Sequence, residues 1–117
     1  IYSSQDIERW HINEMKSLLS RFSGVKFIFD NVKQKYYPVL RDAITSFRSK
    51  NEGKPLVVID DTPFIDFDIL DYPVNDIEEI FLLKGSDAAI WGPKASNGII
   101  VIITQRGKST KIEQKEE

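Results

Sequence analysis

The sequence contains no cysteine, a single histidine and no apolar run long enough to cross a bilayer as a helix. Without thiols there are no disulfides, no zinc–thiolate sites and no cysteine nucleophiles. With His11 alone, and no acid and nucleophile set beside it by the pattern, triad and metallo-hydrolase chemistries lack their parts. The longest aliphatic run is Ile99–Ile103, far below the roughly 20 residues that a spanning helix requires. A basic excess is missing too: 16 Lys and Arg against 18 Asp and Glu leave a net charge of -2. That excludes the charge stripe of a nucleic-acid domain and gives no polybasic membrane contact. The chain opens on Ile1, with no basic and apolar leader, so it reads as a piece of a larger polypeptide. What is present is ordinary for one globular domain: 117 residues, 41 % hydrophobic and 29 % charged.

Along the chain, Ser3 or Ser4 caps a short helix that carries Ile7 and Trp10. A firmer helix is predicted from Asn13 to Ser23, because Met15, Leu18, Leu19 and Phe22 have the i, i+3, i+4, i+7 spacing of one apolar stripe. Gly24 stands where the backbone turns left-handed after such a helix. Val25, Phe27 and Phe29 mark a strand, and Asp30–Tyr37 reads as a polar loop. Over residues 38–47, Pro38 suits a first helical position, followed by Leu40, Ala43, Ile44 and Phe47 at helical spacing.

Leu56–Ile59 is a β-branched central strand closed by turn residues Asp60 and Asp61. Asn75 with Glu78 resembles a capping box for one helical turn around Asp76 and Ile77, ahead of a strand Ile80–Leu83. Ser86 caps a predicted helix Asp87–Trp91, which Gly92-Pro93 stops. The run Ile99–Ile103 then forms a strand that must be central and covered, with Val101 in its middle expected to be buried. Residues 76–104 thus read as a compact βαβ-type unit. Gln105–Glu117 is about half charged and reads as a tail.

Two clusters invite a functional reading and yield simpler ones. Asp60, Asp61, Asp66, Asp68 and Asp71 offer oxygens for a hard cation, but the EF-hand spacing is absent and the first two make a turn. The glycine-bounded segment Gly92–Gly98 lacks the Gly-Lys-Ser/Thr ending of a phosphate loop and runs into a strand, not a helix.

One resemblance spans most of the chain. Ser4-Gln5-Asp6-Ile7-Glu8, Leu18–Val25, Pro55-Leu56-Val57-Val58-Ile59-Asp60, Asp76–Gly85, Ala88–Gly92, Ala95–Ile100 and Thr104-Gln105-Arg106-Gly107 occur in the order and spacing of the plug domain of TonB-dependent outer-membrane receptors. They look most like the Bacteroidetes glycan-receptor branch. Three positions depart from that pattern: the loop before Arg41 is short and lacks glycine, Asp42 replaces a glycine after the strand arginine, and Asp61 replaces the glycine of the Asp-Gly turn.

The resemblance implies an α/β (α+β) domain over residues 1–107, with a small mixed sheet of about four strands and two or three short helices, and a charged tail or linker over 108–117. It would place a strand near Val39–Arg41, where the residue spacing favours a helix, so residues 38–47 stand evenly between helix and strand. It implies a non-enzymatic module without cofactor that occludes a receptor β-barrel in the outer membrane, on its periplasmic side, and responds to ligand and TonB. A glycan or other nutrient is the expected ligand, with Tyr36, Tyr37, Phe47 and Asn51 in the loops Asn31–Tyr37 and Ser46–Lys54 as candidate contacts. The alternative is a barrel-free plug-like interaction domain of a larger periplasmic or cell-surface protein. In either case the isolated domain is expected to fold alone as a monomer.

Overall fold

A computed structural model describes residues 1–40 and 53–106. Its centre is the aliphatic strand β7, Ile99–Thr104, which has a neighbour on each edge. On one side lies β6, Ile77–Leu83, antiparallel with Leu83 opposite Ile99 and Ile80 opposite Ile102. On the other lies β4, Leu56–Ile59, in parallel register with Leu56 opposite Ile99 and Ile59 opposite Ile102. The short strands β1, Tyr2–Ser3, and β5, Thr62–Phe64, complete a five-stranded mixed sheet in the order β1-β6-β7-β4-β5. A separate hairpin pairs β2, Val25–Asp30, with β3, Lys35–Leu40. The α+β class and the mixed sheet are as expected. The strands are more numerous than the four expected, because Tyr2–Ser3 and Thr62–Phe64 are too short to show a period of their own.

Alternation along β7 divides the core in two. Ile100 and Ile102 face the larger cluster, with Val57, Ile77, Ile80 and Ile69. The helices α1, Ser4–Arg9, and α2, Met15–Leu19, cover this face through Ile7, Met15, Leu18 and Leu19. Ile99 faces a smaller cluster with Leu56, Val58, Ala88 and Ala95, against which Leu83, Trp91 and Val101 pack. Val101 is therefore on the central strand as expected, yet it is half-buried, not buried, because the short turns over the second face cover only its Ile99 end.

The βαβ reading of residues 76–104 is overturned. β6 and β7 are antiparallel neighbours, and the chain between them coils at one end of the sheet instead of crossing its length. The predicted helix Asp87–Trp91 is a set of 3-10 turns, Gly85–Asp87, Ala89–Trp91 and Pro93–Ala95, and Ser86 makes no cap. So short a segment cannot repay helix nucleation, and Gly92, at φ 80°, breaks it where Pro93 restarts a turn.

Other boundaries shift for local reasons. Ser3 caps α1 in a reciprocal capping box with Asp6. The second helix is shorter than the Asn13–Ser23 predicted. The Ser20 hydroxyl donates to the Lys16 carbonyl at 2.6 Å, and Arg21 and Phe22 close tighter turns onto Leu18 and Leu19. The turn expected around Asp76 and Ile77 lies at Val74–Asp76, without a side-chain cap, and Ile77 already belongs to β6. At residues 38–40 the strand prevails over the helix, with Pro38 opposite Phe27 in the β2–β3 pair. The loop expected over Asp30–Tyr37 is confined to residues 31–34. Asp30 accepts the N–H groups of Val32 (2.9 Å) and Lys33 (3.2 Å), which closes the reversal early.

Asp60 and Asp61 form the turn read from sequence, with φ of 47° and 69° between the paired residues Ile59 and Thr62. That is the geometry of a two-residue hairpin turn with both central residues left-handed. Asp60 compensates for its strained backbone by accepting the N–H of Thr104 at 2.9 Å and its hydroxyl, which fastens the end of β7 to the end of β4. His11, exposed between α1 and α2, is also left-handed at φ 55°.

The division of β7 predicts unequal costs for adjacent truncations. Ile102→Ala should destabilise the fold by about 3 kcal/mol, and Val101→Ala by about 1 kcal/mol, in urea melts. Equal or reversed costs would place the main core on the other face of the sheet.

Candidate functional site

Three pieces of chain meet at one end of the sheet: the β2–β3 reversal, the entry to β4 at Lys54 and the segment that follows β5. Lys54 is placed from behind. The buried Asn97 donates its side-chain amide to the Lys54 carbonyl at 3.2 Å, and the Leu56 N–H donates to the Gly98 carbonyl at 3.0 Å. Gly98 takes φ 89° there, a left-handed backbone that glycine adopts without strain. The Lys54 ammonium then lies 2.8 Å from Asp30 and 2.8 Å from Asp66, with its charge 4.8 Å from the Tyr37 ring centre.

From this clasp a ladder of alternating charge runs outward. Lys33 contacts Asp66 (3.2 Å) and Asp68 (3.0 Å), and Lys35 contacts Asp68 (3.6 Å) and Asp71 (2.6 Å). The outer pairs are well solvated and contribute little. The inner pair is different, since only 16 % of the Lys54 side chain and 11 % of that of Asp30 is exposed. Burial works to lower the Lys54 pKa, but its hydrogen bonds to Asp30 and Asp66 outweigh this and raise it. The hydrogen bond from Lys54, aided by the Lys33 and Val32 N–H groups and opposed by burial, holds the Asp30 carboxyl at about 2. Asp66 is lowered chiefly by its own hydrogen bond from Lys54. The cavity left at the centre measures about 10 Å³, barely a water's worth, so the clasp fills its own site.

Beside the clasp the surface opens. A cleft of about 260 Å³ is lined by Glu14, Lys16, Lys35, Tyr36, Asp68, Leu70 and Asp71. Tyr36 is 51 % exposed and meets Phe29, itself exposed, edge to face at 5.1 Å. The Lys16 ammonium hangs 5.0 Å from the Tyr36 ring centre and 5.6 Å from that of Phe27. The result is an exposed aromatic pair with an ammonium over the Tyr36 ring and carboxylates beside it, a surface that offers both ring contact and hydrogen-bonding groups.

The family model described as TonB-dependent Receptor Plug Domain matches residues 1–99. The chain belongs to the TonB-dependent receptor plug family. Among solved structures, the plug is similar to the siderophore receptor PirA from Acinetobacter baumannii, at 21 % identity and a TM-score of 0.66 over 89 % of this chain. It is likewise similar to the ferric enterobactin receptor PfeA from Pseudomonas aeruginosa, in the R480A mutant complexed with enterobactin, at 19 % identity and a TM-score of 0.66 over 89 %. The plug spans 16 % and 17 % of those two chains. At such identities the likeness establishes the fold alone.

Of the four candidate contacts read from sequence, the structure separates the two tyrosines. Adjacent strand residues point to opposite faces, so Tyr36 is exposed in the cleft while Tyr37 is 8 % exposed beneath Lys54. Phe47 and Asn51 lie outside the described residues. The acidic series is divided as well: Asp60 and Asp61 form the turn, whereas Asp66, Asp68 and Asp71 face lysines. Among the described residues no group of three or more His, Asp or Glu is placed to hold a metal ion. Sequence reasoning missed Lys16, Phe29 and the Lys54 clasp. The available signal was the equal spacing of Lys33 with Lys35 and of Asp66 with Asp68, which lets two segments meet rung by rung.

The clasp predicts acid sensitivity with a definite sign. A folded Asp30 pKa of about 2, below the ordinary 3.8, means that its contribution is complete above about pH 4 and is lost as pH falls through about 2. Thermal melts should therefore show the midpoint dropping over that interval. Asp30→Asn should lower the midpoint at neutral pH and flatten the acid drop. An unchanged neutral midpoint with an undiminished acid drop would show that the clasp carries no stability.

Proposed function

We propose that this plug is the pore-occluding, ligand-responsive module of a TonB-dependent outer-membrane nutrient receptor, acting by binding and movement and not by catalysis. The family match over residues 1–99 supports this reading. The proposed partners are the receptor's own β-barrel, which holds the plug at the periplasmic side of the membrane, and TonB, which couples energy to it. The second face of the sheet, where Phe81, Val101 and Ile103 are half-buried, is the proposed contact with the barrel wall. Isolated from the barrel, the domain is proposed to be a monomer.

The proposed ligand is a glycan fragment that stacks on Tyr36. The exposed Tyr36–Phe29 pair supports this, since a ring face beside Leu70 suits the apolar face of a sugar. Around it Lys16 and Lys35 donate while Glu14, Asp68 and Asp71 accept, a balance that matches hydroxyl groups and offers no cationic surplus for a polyanion. Phe47 and Asn51 remain proposed contacts on the segment that joins β3 to β4. Tyr37 acts from below, by holding Lys54 and with it the hairpin that carries Tyr36.

Two-dimensional NMR with a panel of neutral oligosaccharides and one ferric catecholate siderophore tests the ligand class. Oligosaccharide shifts should centre on Lys35, Tyr36 and Leu70, and Tyr36→Ala should weaken them by about tenfold, or about 1.4 kcal/mol. Shifts with the siderophore alone, or none with either, would overturn the glycan reading. A parent gene that ends near Glu117, without the roughly 10-residue alternating strands of a barrel, would overturn the receptor reading in favour of a barrel-free interaction domain.

A further inference from the structure

Lys16 is exposed near the start of α2, while Met15, Leu18 and Leu19 of the same helix are wholly buried, so its stem springs from a fixed backbone. Its ammonium does not turn to a carboxylate. Among the described residues it makes no ion pair, although Glu14, Asp68 and Asp71 line the same cleft. It lies instead over two rings of the hairpin, those of Tyr36 and Phe27. Phe27 and Phe29 alternate along β2, and Tyr36 stands opposite Phe29, so the three rings share one face of the hairpin. The carboxylates are engaged elsewhere: Lys33 and Lys35 hold Asp68, Lys35 holds Asp71, and Glu14 accepts the Ser17 hydroxyl at 3.2 Å. The Lys16 ammonium therefore marks the point at which this surface receives a cation.

We propose that the ligand of this cleft is an amino sugar, whose ammonium takes the place that Lys16 holds in the free protein. The proposal rests on the glycan reading above and narrows it. Lys16 and Tyr36 line the same cleft with the ammonium over the ring, so a sugar that stacks on Tyr36 from the cleft displaces it. A neutral sugar then takes a cation away from two ring faces and returns none. An ammonium on the sugar restores the cation–π contact and leaves the charge of the cleft as it was, with three acids facing Lys35 and one further cation. The freed Lys16, on its flexible four-carbon stem, swings to the rim and donates to a sugar hydroxyl. A linear polyamine fits less well. Lys35 beside Tyr36 repels a second ammonium, and an alkyl chain covers less of the ring than a pyranose face does.

NMR titration of the 117-residue chain with two trisaccharides, β-1,4-linked glucosamine and β-1,4-linked glucose, tests this. At a pH of about 5.5 the amine is charged, and the two probes differ only in ammonium against hydroxyl at one carbon of each ring. The glucosamine trisaccharide should bind about fivefold more tightly, the range of one cation–π contact. As it binds, the Lys16 ε-methylene signal, held upfield by the two rings, should move to the position of an ordinary exposed lysine. Tyr36→Leu keeps an apolar side chain at this exposed position but removes the π face, and it should bring the two affinities together. Equal affinities in the unaltered chain would overturn the amino-sugar assignment and leave the glycan reading standing, whereas no binding of either trisaccharide would overturn both. A Lys16 signal that stays upfield in the bound state would also overturn the proposal. So would spermidine binding as tightly as the glucosamine trisaccharide, since the cleft would then select a cation and not a sugar.

Discussion

Ile99–Ile103 carries no charge, no proline and no polar side chain, so both of its edges and most of its side-chain surface are withdrawn from water. That constraint organises the rest of the fold. One edge is satisfied by the antiparallel β6 and the other by the parallel β4. One face recruits α1, α2 and the side chains of the β2–β3 hairpin, and the other recruits the 3-10 turns that carry Ala88, Ala95 and Trp91. Even the polar fastening at Asp60 serves it, because Thr104 is the point where the apolar strand ends and must be held. The elements around β7 are short, and short elements suffice because a central strand supplies them all with the same buried partner.

The charged end of the molecule obeys a different logic. Lys54 is withdrawn from water and is kept charged by two carboxylates from separate segments. Removal of either carboxylate would leave a poorly solvated cation, so the hairpin and the segment after β5 are held in fixed relation. That rigidity extends to the neighbouring aromatic pair. Tyr36 and Phe29 project from a hairpin whose reversal is closed by Asp30, the same residue that Lys54 grips. The proposed ligand on Tyr36 would thus act on the hairpin through the clasp instead of on a loose loop.

The elements whose identity rests on nearby residues were legible. The helix cap at Ser3, the apolar stripe Met15–Leu19, the strands at Val25, Leu56 and Ile99, and the Asp60–Asp61 turn each follow from patterns within one or two turns of chain. So was the family, since its motifs are spaced along the chain in order. The extent of helices was less legible. Ser20 and Gly92 end or prevent them through local hydrogen bonds and backbone angles that compete on nearly equal terms with helix.

What the sequence by itself determined, then, was composition, class and the strand that must be buried, because hydrophobic burial and turn chemistry are properties of the residues themselves. Tertiary structure alone decided that β6 runs antiparallel to β7, that Tyr36 faces water while Tyr37 does not, and that Lys54 lies between Asp30 and Asp66. Each of these depends on segments far apart in sequence meeting in one register. A shift of a single residue in that register exchanges the buried and exposed faces of a strand, and periodicity along one segment carries no record of its partner.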